Sequence, residues 1–155
     1  MGDKNNAYKI FDNPFVQNFN PLFRTGLLFA GANRAWNREK PIQGIEDGIL
    51  TAYEVSNLNL QNTKLVVLSA CETGLGETKG NEGVYGLQRA FKAAGVKYIM
   101  MSLWTIPDEQ TAELMELFYK KMLSGIPIRK AFTETQNEMK KKYPPYFWAG
   151  MVLVE

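Results

Sequence analysis

The chain contains no histidine, and that absence limits its chemistry more than any residue it has. Imidazole is the usual general base near neutral pH and the commonest metal ligand. A self-contained cysteine–histidine pair or a histidine-bound metal is therefore excluded within these 155 residues. A single cysteine, Cys71, excludes an internal disulfide framework and fits a reducing cytoplasm. No apolar run approaches the ~20 residues of a membrane span, and the N-terminus lacks the pattern of a secretory leader. Met1-Gly2 does not open a myristoylation motif, because Asn6 stands where Ser or Thr is required. A formal charge of +2 is too small to imply a nucleic-acid or membrane partner. The expectation is a cytoplasmic protein that binds neither.

What is present suits one globular domain: 45% hydrophobic and 22% charged residues, in a chain long enough to bury a sizeable core. The stretch Leu65-Val66-Val67-Leu68-Ser69-Ala70-Cys71-Glu72-Thr73-Gly74-Leu75-Gly76 organises it. Four apolar, partly β-branched residues predict a buried strand, too short for a helix and closed by a glycine-rich turn. A run that is apolar on both faces suits a parallel sheet with helices on either side. Cys71 follows where that strand ends, and open α/β sheets bind ligands just outside the carboxyl ends of their strands. A thiol displayed there is a candidate nucleophile. The plain alternative is a small core residue, since free cysteine is among the most buried residue types.

The loop Gly74-Leu75-Gly76-Glu77-Thr78-Lys79-Gly80 fails as a phosphate cradle: the lysine precedes the glycine and no hydroxyl follows. The dinucleotide fingerprint fails as well, with Lys79 in its third glycine position. No nucleotide, metal or other cofactor is expected.

Taken in order, residues 1–20 hold no sustained period, and Pro14 interrupts the helical spacing of Phe11, Phe15 and Phe19, so a loop or poorly ordered segment is expected. Residues 34–46 are polar, carry Pro41 and Gly44, and read as a surface loop. Thr51 and Glu54 form a capping box for a short helix over 52–57. A second helix is predicted from Asn81 to about Ala94, with Val84, Leu87, Phe91 and Ala94 inward and Gly95 as its stop. A second strand over 96–103 would complete a right-handed parallel βαβ unit with the first. Asp108 can then cap a helix over 109–124 whose core face carries Leu114, Met115, Phe118 and Met122. Pro127 opens a further helix with Ile128, Ala131, Phe132, Thr135 and Met139 inward, and Lys140, Lys141 and Lys142 at its dipole end. Pro144-Pro145 ends it, and residues 146–154 read as a last strand.

Ser69-Ala70-Cys71-Glu72-Thr73-Gly74 resembles the Ser/Gln-Ala-Cys-x-x-Gly signature of caspase-like cysteine peptidases. Together with Asp47-Gly48-Ile49-Leu50-Thr51-Ala52-Tyr53-Glu54, Glu82-Gly83-Val84-Tyr85-Gly86-Leu87-Gln88-Arg89-Ala90-Phe91, Ser102-Leu103-Trp104 and Trp148-Ala149, it looks like the CHAT domain. That is the caspase-like peptidase domain often found after TPR repeats, and the resemblance runs from about Asn20 to the C-terminus. It implies a three-layer α/β/α sandwich with a mostly parallel sheet, with Cys71 as the nucleophile for peptide-bond hydrolysis. In the family a His-Gly pair precedes the segment matching residues 20–33, so the chain resembles the C-terminal portion of the domain with its N-terminal part missing.

Several expectations follow from the resemblance. The fragment should be inactive alone and should self-associate or bind its missing half. Its partners would be a protein or peptide substrate and TPR repeats. Some relatives act in bacterial defence, so by analogy a regulated protease is expected, with a bacterial source. Leu103-Trp104-x-x-x-Asp108 is similar to a loop of the related separases, whose aspartate receives a basic P1 side chain. Asp108 would thus bind substrate, preferring an arginine that it can hold through two parallel hydrogen bonds. The competing reading is a non-catalytic, caspase-like interaction module.

Overall fold

The computed structural model describes residues 18–40, 42–68 and 82–155. In chain order these form β1 (Gly26–Leu28), α1 (Ala32–Trp36), β2 (Ile49–Thr51), α2 (Ala52–Ser56), β3 (Leu65–Leu68), α3 (Glu82–Ala93), β4 (Tyr98–Ser102), α4 (Asp108–Leu123), α5 (Ile128–Lys142) and β5 (Met151–Val154). Single 3-10 turns occupy Pro21–Phe23 and Pro145–Phe147. The mixture of strands and helices is that of a caspase-like α/β fold. The described residues divide into two compact units, one of residues 18–64 and 82–97, the other of 65–68 and 98–155.

In the first unit β1 and β2 pair antiparallel, from Gly26 opposite Thr51 to Leu28 opposite Ile49. Gly26 is required there, since a Cβ would stand 2.6 Å from the Leu50 carbonyl oxygen. At the other end of the ladder Phe29 N–H donates to the Gly48 carbonyl (2.8 Å), and Gly48 takes φ +78°. The Asp47 carboxylate accepts from Ile49 N–H (2.8 Å), closing an Asx turn that starts β2. The capping box on α2 forms as its sequence predicts: Glu54 N–H donates to the Thr51 hydroxyl (3.2 Å) and Thr51 N–H to the Glu54 carboxylate (2.7 Å).

Helices α2 and α3 pack together, burying Ala52, Val55, Leu87, Ala90 and Phe91. Gly95, at φ +100°, stops α3. The loop expected over 34–46 needs one correction, because its start is the end of α1. Ala32, Ala35 and Trp36 have helical i, i+3, i+4 spacing and gather against Ile49, which stabilises this single short helix.

The second unit is a three-stranded sheet in the order β3-β4-β5. β4 lies in the middle, parallel to β3 (Leu65 opposite Tyr98 through Leu68 opposite Met101) and antiparallel to β5 (Ile99 opposite Val154 through Ser102 opposite Met151). The predicted strand over 146–154 contracts to β5. Proline cannot donate to a ladder, and Pro144 and Pro145 begin a 3-10 turn in which Phe147 N–H bonds the Pro144 carbonyl (3.1 Å). That turn brings the chain back to the edge where β4 finishes, with Leu103 N–H on the Gly150 carbonyl (2.8 Å), so β5 runs antiparallel to β4.

Met100 and Met151 join Ile106, Leu114, Phe118, Ala131, Phe132 and Met139 in one core between the sheet and α4 and α5. Ile99 and Met101, alternating onto the opposite face, are just as deeply buried, as a strand apolar on both faces requires. Thr135 tolerates full burial because its hydroxyl donates to the Ala131 carbonyl one turn back (2.8 Å).

Candidate functional site

The parallel pair fixes where the chemistry-bearing segments start. With Leu68 opposite Met101, β3 and β4 end at the same edge of the sheet. Beyond Leu68 the chain runs on to Cys71, and beyond Ser102 it runs through a short loop to Asp108. Cys71 and the glycine-rich loop after it lie outside the described residues. Asp108 lies within them.

Asp108 is the first residue of α4 and is exposed. The expectation that its side chain caps the helix is corrected, because Pro107 holds the cap position at φ −57° and ψ 146°. The Pro107 carbonyl accepts from Thr111 N–H (3.0 Å), and the Thr111 hydroxyl leans on the Ile106 carbonyl (3.4 Å). Proline supplies this position without a side-chain bond, so the carboxylate of Asp108 is not consumed by capping. It has no ion pair or side-chain hydrogen bond among the described residues. Its negative charge still suits the first turn of α4, where the N-terminal dipole favours an anion.

The loop that presents Asp108 is held at several points. Trp104 donates from Nε1 to the Tyr146 carbonyl (2.9 Å), and the Tyr146 hydroxyl donates back to the Thr105 carbonyl (2.8 Å). The two rings lie offset at 6.4 Å with 23° between their planes. Gly150 lets the indole approach, since a Cβ there would fall 2.6 Å from Trp104 Cε2. Ile106, in the middle of the loop, is buried in the core under α4.

The strap carrying Tyr146 is itself tied to α4. The Tyr143 hydroxyl and Lys142 both bond the Glu113 carboxylate, and Trp148 Nε1 donates to the Tyr143 carbonyl (3.1 Å). These two donors hold the Glu113 carboxyl below the ordinary glutamate range, and the same carboxylate raises the pKa of the Tyr143 hydroxyl.

Ser102, the last residue of β4, completes the edge. Its hydroxyl oxygen is buried and has no hydrogen-bond partner among the described residues. No group of three or more His, Cys, Asp or Glu among the described residues could hold a metal ion. No described helix is long and apolar enough to cross a membrane.

Sequence reasoning located Asp108 and Trp104 but missed Tyr146 and Gly150 as their supports, and gave Ser102 no role. A glycine directly before a strand and a tyrosine directly after a proline pair were the available signals. Neither says which distant residue it will meet.

A family model described as CHAT domain matches residues 10–155, starting earlier than the resemblance read from the motifs alone. The chain is also similar to tetratricopeptide repeat protein 28. It is 31% identical to the human protein over 113 residues, which is 71% of this chain and 4% of that protein's length. It is 30% identical to the mouse protein over 109 residues, which is 68% of this chain and again 4% of the relative. The chain thus corresponds to a small part of long, TPR-containing proteins.

Proposed function

This chain belongs to the CHAT domain family, and on that footing we propose that it is the nucleophile-bearing part of a caspase-like cysteine endopeptidase. Cys71 is the nucleophile. A free thiol has a pKa of about 8.5, so it needs a base to act at neutral pH. With no histidine among its 155 residues, the chain takes that imidazole from outside them. The imidazole removes the thiol proton as sulfur attacks the scissile carbonyl carbon, and the Cys71 backbone N–H helps to hold the developing oxyanion. Collapse breaks the C–N bond, the imidazolium protonates the departing amine, and a thioester remains. Water, deprotonated by the same imidazole, then releases the acid and restores the thiol.

The observation that carries this reading is the parallel register of β3 and β4. It starts the Cys71 segment and the Asp108 loop from neighbouring positions on one sheet edge. Asp108 is the substrate-binding carboxylate for a basic P1 side chain, supported by its exposure and by the absence of a capping bond. Among the described residues β3 is paired on one side only, which supports a neighbouring strand supplied from outside them. The names of the relatives support TPR repeats as the accompanying partner; a cytoplasmic setting is supported by the single cysteine alone. A non-catalytic interaction module is the second reading, and the missing histidine is what favours it.

A peptidyl-arginine acyloxymethyl ketone distinguishes the two. On the protein supplied with its histidine-bearing part it should label Cys71, and Cys71→Ala should abolish labelling. Asp108→Asn should slow labelling by at least about tenfold for arginine at P1, with little change for a neutral P1. The isolated chain should react only at the rate of an ordinary thiol. No labelling of the complemented protein would favour the interaction module, and rapid turnover by the isolated chain would show that the base lies elsewhere.

A further inference from the structure

We infer that the Ser102 hydroxyl is a second specificity-determining group at this sheet edge, an acceptor for the guanidinium of an arginine side chain whose charge is met by Asp108. The inference rests on the basic-P1 reading above and adds to it. Ser102 is 4% exposed, and its Oγ is buried without a partner among the described residues. Buried hydroxyls are almost always bonded, because desolvation without a compensating hydrogen bond is unfavourable. Two other buried hydroxyls follow that rule: Thr135 bonds the Ala131 carbonyl and Thr51 bonds Glu54. An orphan acceptor at the carboxyl edge of a central strand marks a place where a ligand can complete the bonding.

The position fits one ligand chemistry. Ser102 is fixed by its ladder pairing with Met151, and it shares strand parity with Met100, which faces α4 and α5. Asp108 opens α4. The two residues therefore bracket one short loop, which is held by the burial of Ile106 and by the Trp104–Tyr146 pair. A guanidinium presents five N–H donors in a planar fork. A carboxylate takes two of them, and the rest need acceptors in different directions. A lysine ammonium is a compact charge whose donors cannot span two separated acceptors in the same way. Asp108 supplies attraction to any cation, and Ser102 supplies the preference for arginine.

The test is an NMR titration of this chain with agmatine as the guanidinium probe and cadaverine as the ammonium probe, with Tm recorded for each variant. Wild type should bind agmatine more tightly than cadaverine. Ser102→Ala should weaken agmatine about tenfold, leave cadaverine within about twofold, and leave Tm unchanged or raised, because an unsatisfied hydroxyl has been removed. Equal agmatine affinity in wild type and Ser102→Ala would overturn the inference, assigning the hydroxyl to a buried water. A fall in Tm with both probes weakened alike would also overturn it, by making the residue purely structural. Asp108→Asn keeps the underlying reading separate. If it abolishes agmatine binding while Ser102→Ala does nothing, only the Ser102 inference fails; if it leaves both probes unaffected, the basic-P1 reading fails. Absence of agmatine binding to wild type would sink both.

Discussion

In the unit built on β1 and β2, backbone is brought against backbone, whereas in the unit built on β3, β4 and β5 large side chains fill the space between sheet and helices. The first depends on glycines at close approaches: a Cβ on Gly26 would meet the Leu50 carbonyl oxygen, and a Cβ on Gly48 would stand 2.7 Å from Ala32 N. The second depends on volume. Phe118, Leu114, Met139, Met100 and Met151 are all fully buried or nearly so, and Phe118 sets its edge against Phe132 with ring centres 6.4 Å apart. The two constructions should fail in opposite ways. One is vulnerable to an added methyl group, the other to a lost ring.

Phe118→Ala should have the largest effect, lowering stability by about 3–5 kcal/mol in urea denaturation, since the ring leaves a cavity its neighbours cannot fill. Gly48→Ala should cost about 2–3 kcal/mol, combining positive φ with a backbone collision. Gly31→Ala sharpens the comparison. Gly31 has φ +96° but nothing within 4 Å of an added Cβ, so only the conformational cost of about 1 kcal/mol should remain. If Gly48→Ala and Gly31→Ala cost the same, close approach is not what the first unit depends on. If Phe118→Ala costs no more than Gly31→Ala, the contrast between the units breaks down.

The same contrast explains what could be read before the fold was known. Periodicity is local, so β3, α3, α4 and α5 were legible to within a few residues, as were the inward faces of α4 and α5 and the Thr51 capping box. The candidate site was legible only in part. Asp108 could be found after the second strand, yet its cap role passed to Pro107, because a proline can hold that position with no side-chain bond. α1 was overlooked because Ala32, Ala35 and Trp36 make a stripe too short to stand out against a polar, proline-containing stretch. Tyr146 and Gly150 become meaningful only once β5 lies beside β4 and brings them to Trp104. That is a pairing of distant segments with no period to announce it. Cys71 was the plainest signal in the chain, and it falls outside the described residues.

The smallest expected effect concerns a polar tie inside the side-chain-packed unit. Lys142 and Tyr143 lower the pKa of Glu113, so the folded state prefers the ionised carboxylate more than the unfolded chain does. The stabilisation is fully present above the unfolded glutamate value of about 4.3 and is lost as pH falls through the lowered folded value. Glu113→Gln should therefore flatten the acid limb of the stability–pH curve while changing stability at pH 7 only slightly. Lys142 is 58% exposed and solvent screens the pair. Glu138, lowered in the same direction by Lys121, should keep part of the slope in the variant. Added salt should shrink the difference between wild type and Glu113→Gln. If the variant matched wild type at every pH, the Glu113 cluster would not contribute to holding the Tyr146 strap against α4, and the buried Ile106 with the Trp104–Tyr146 contacts would have to keep the Asp108 loop in place.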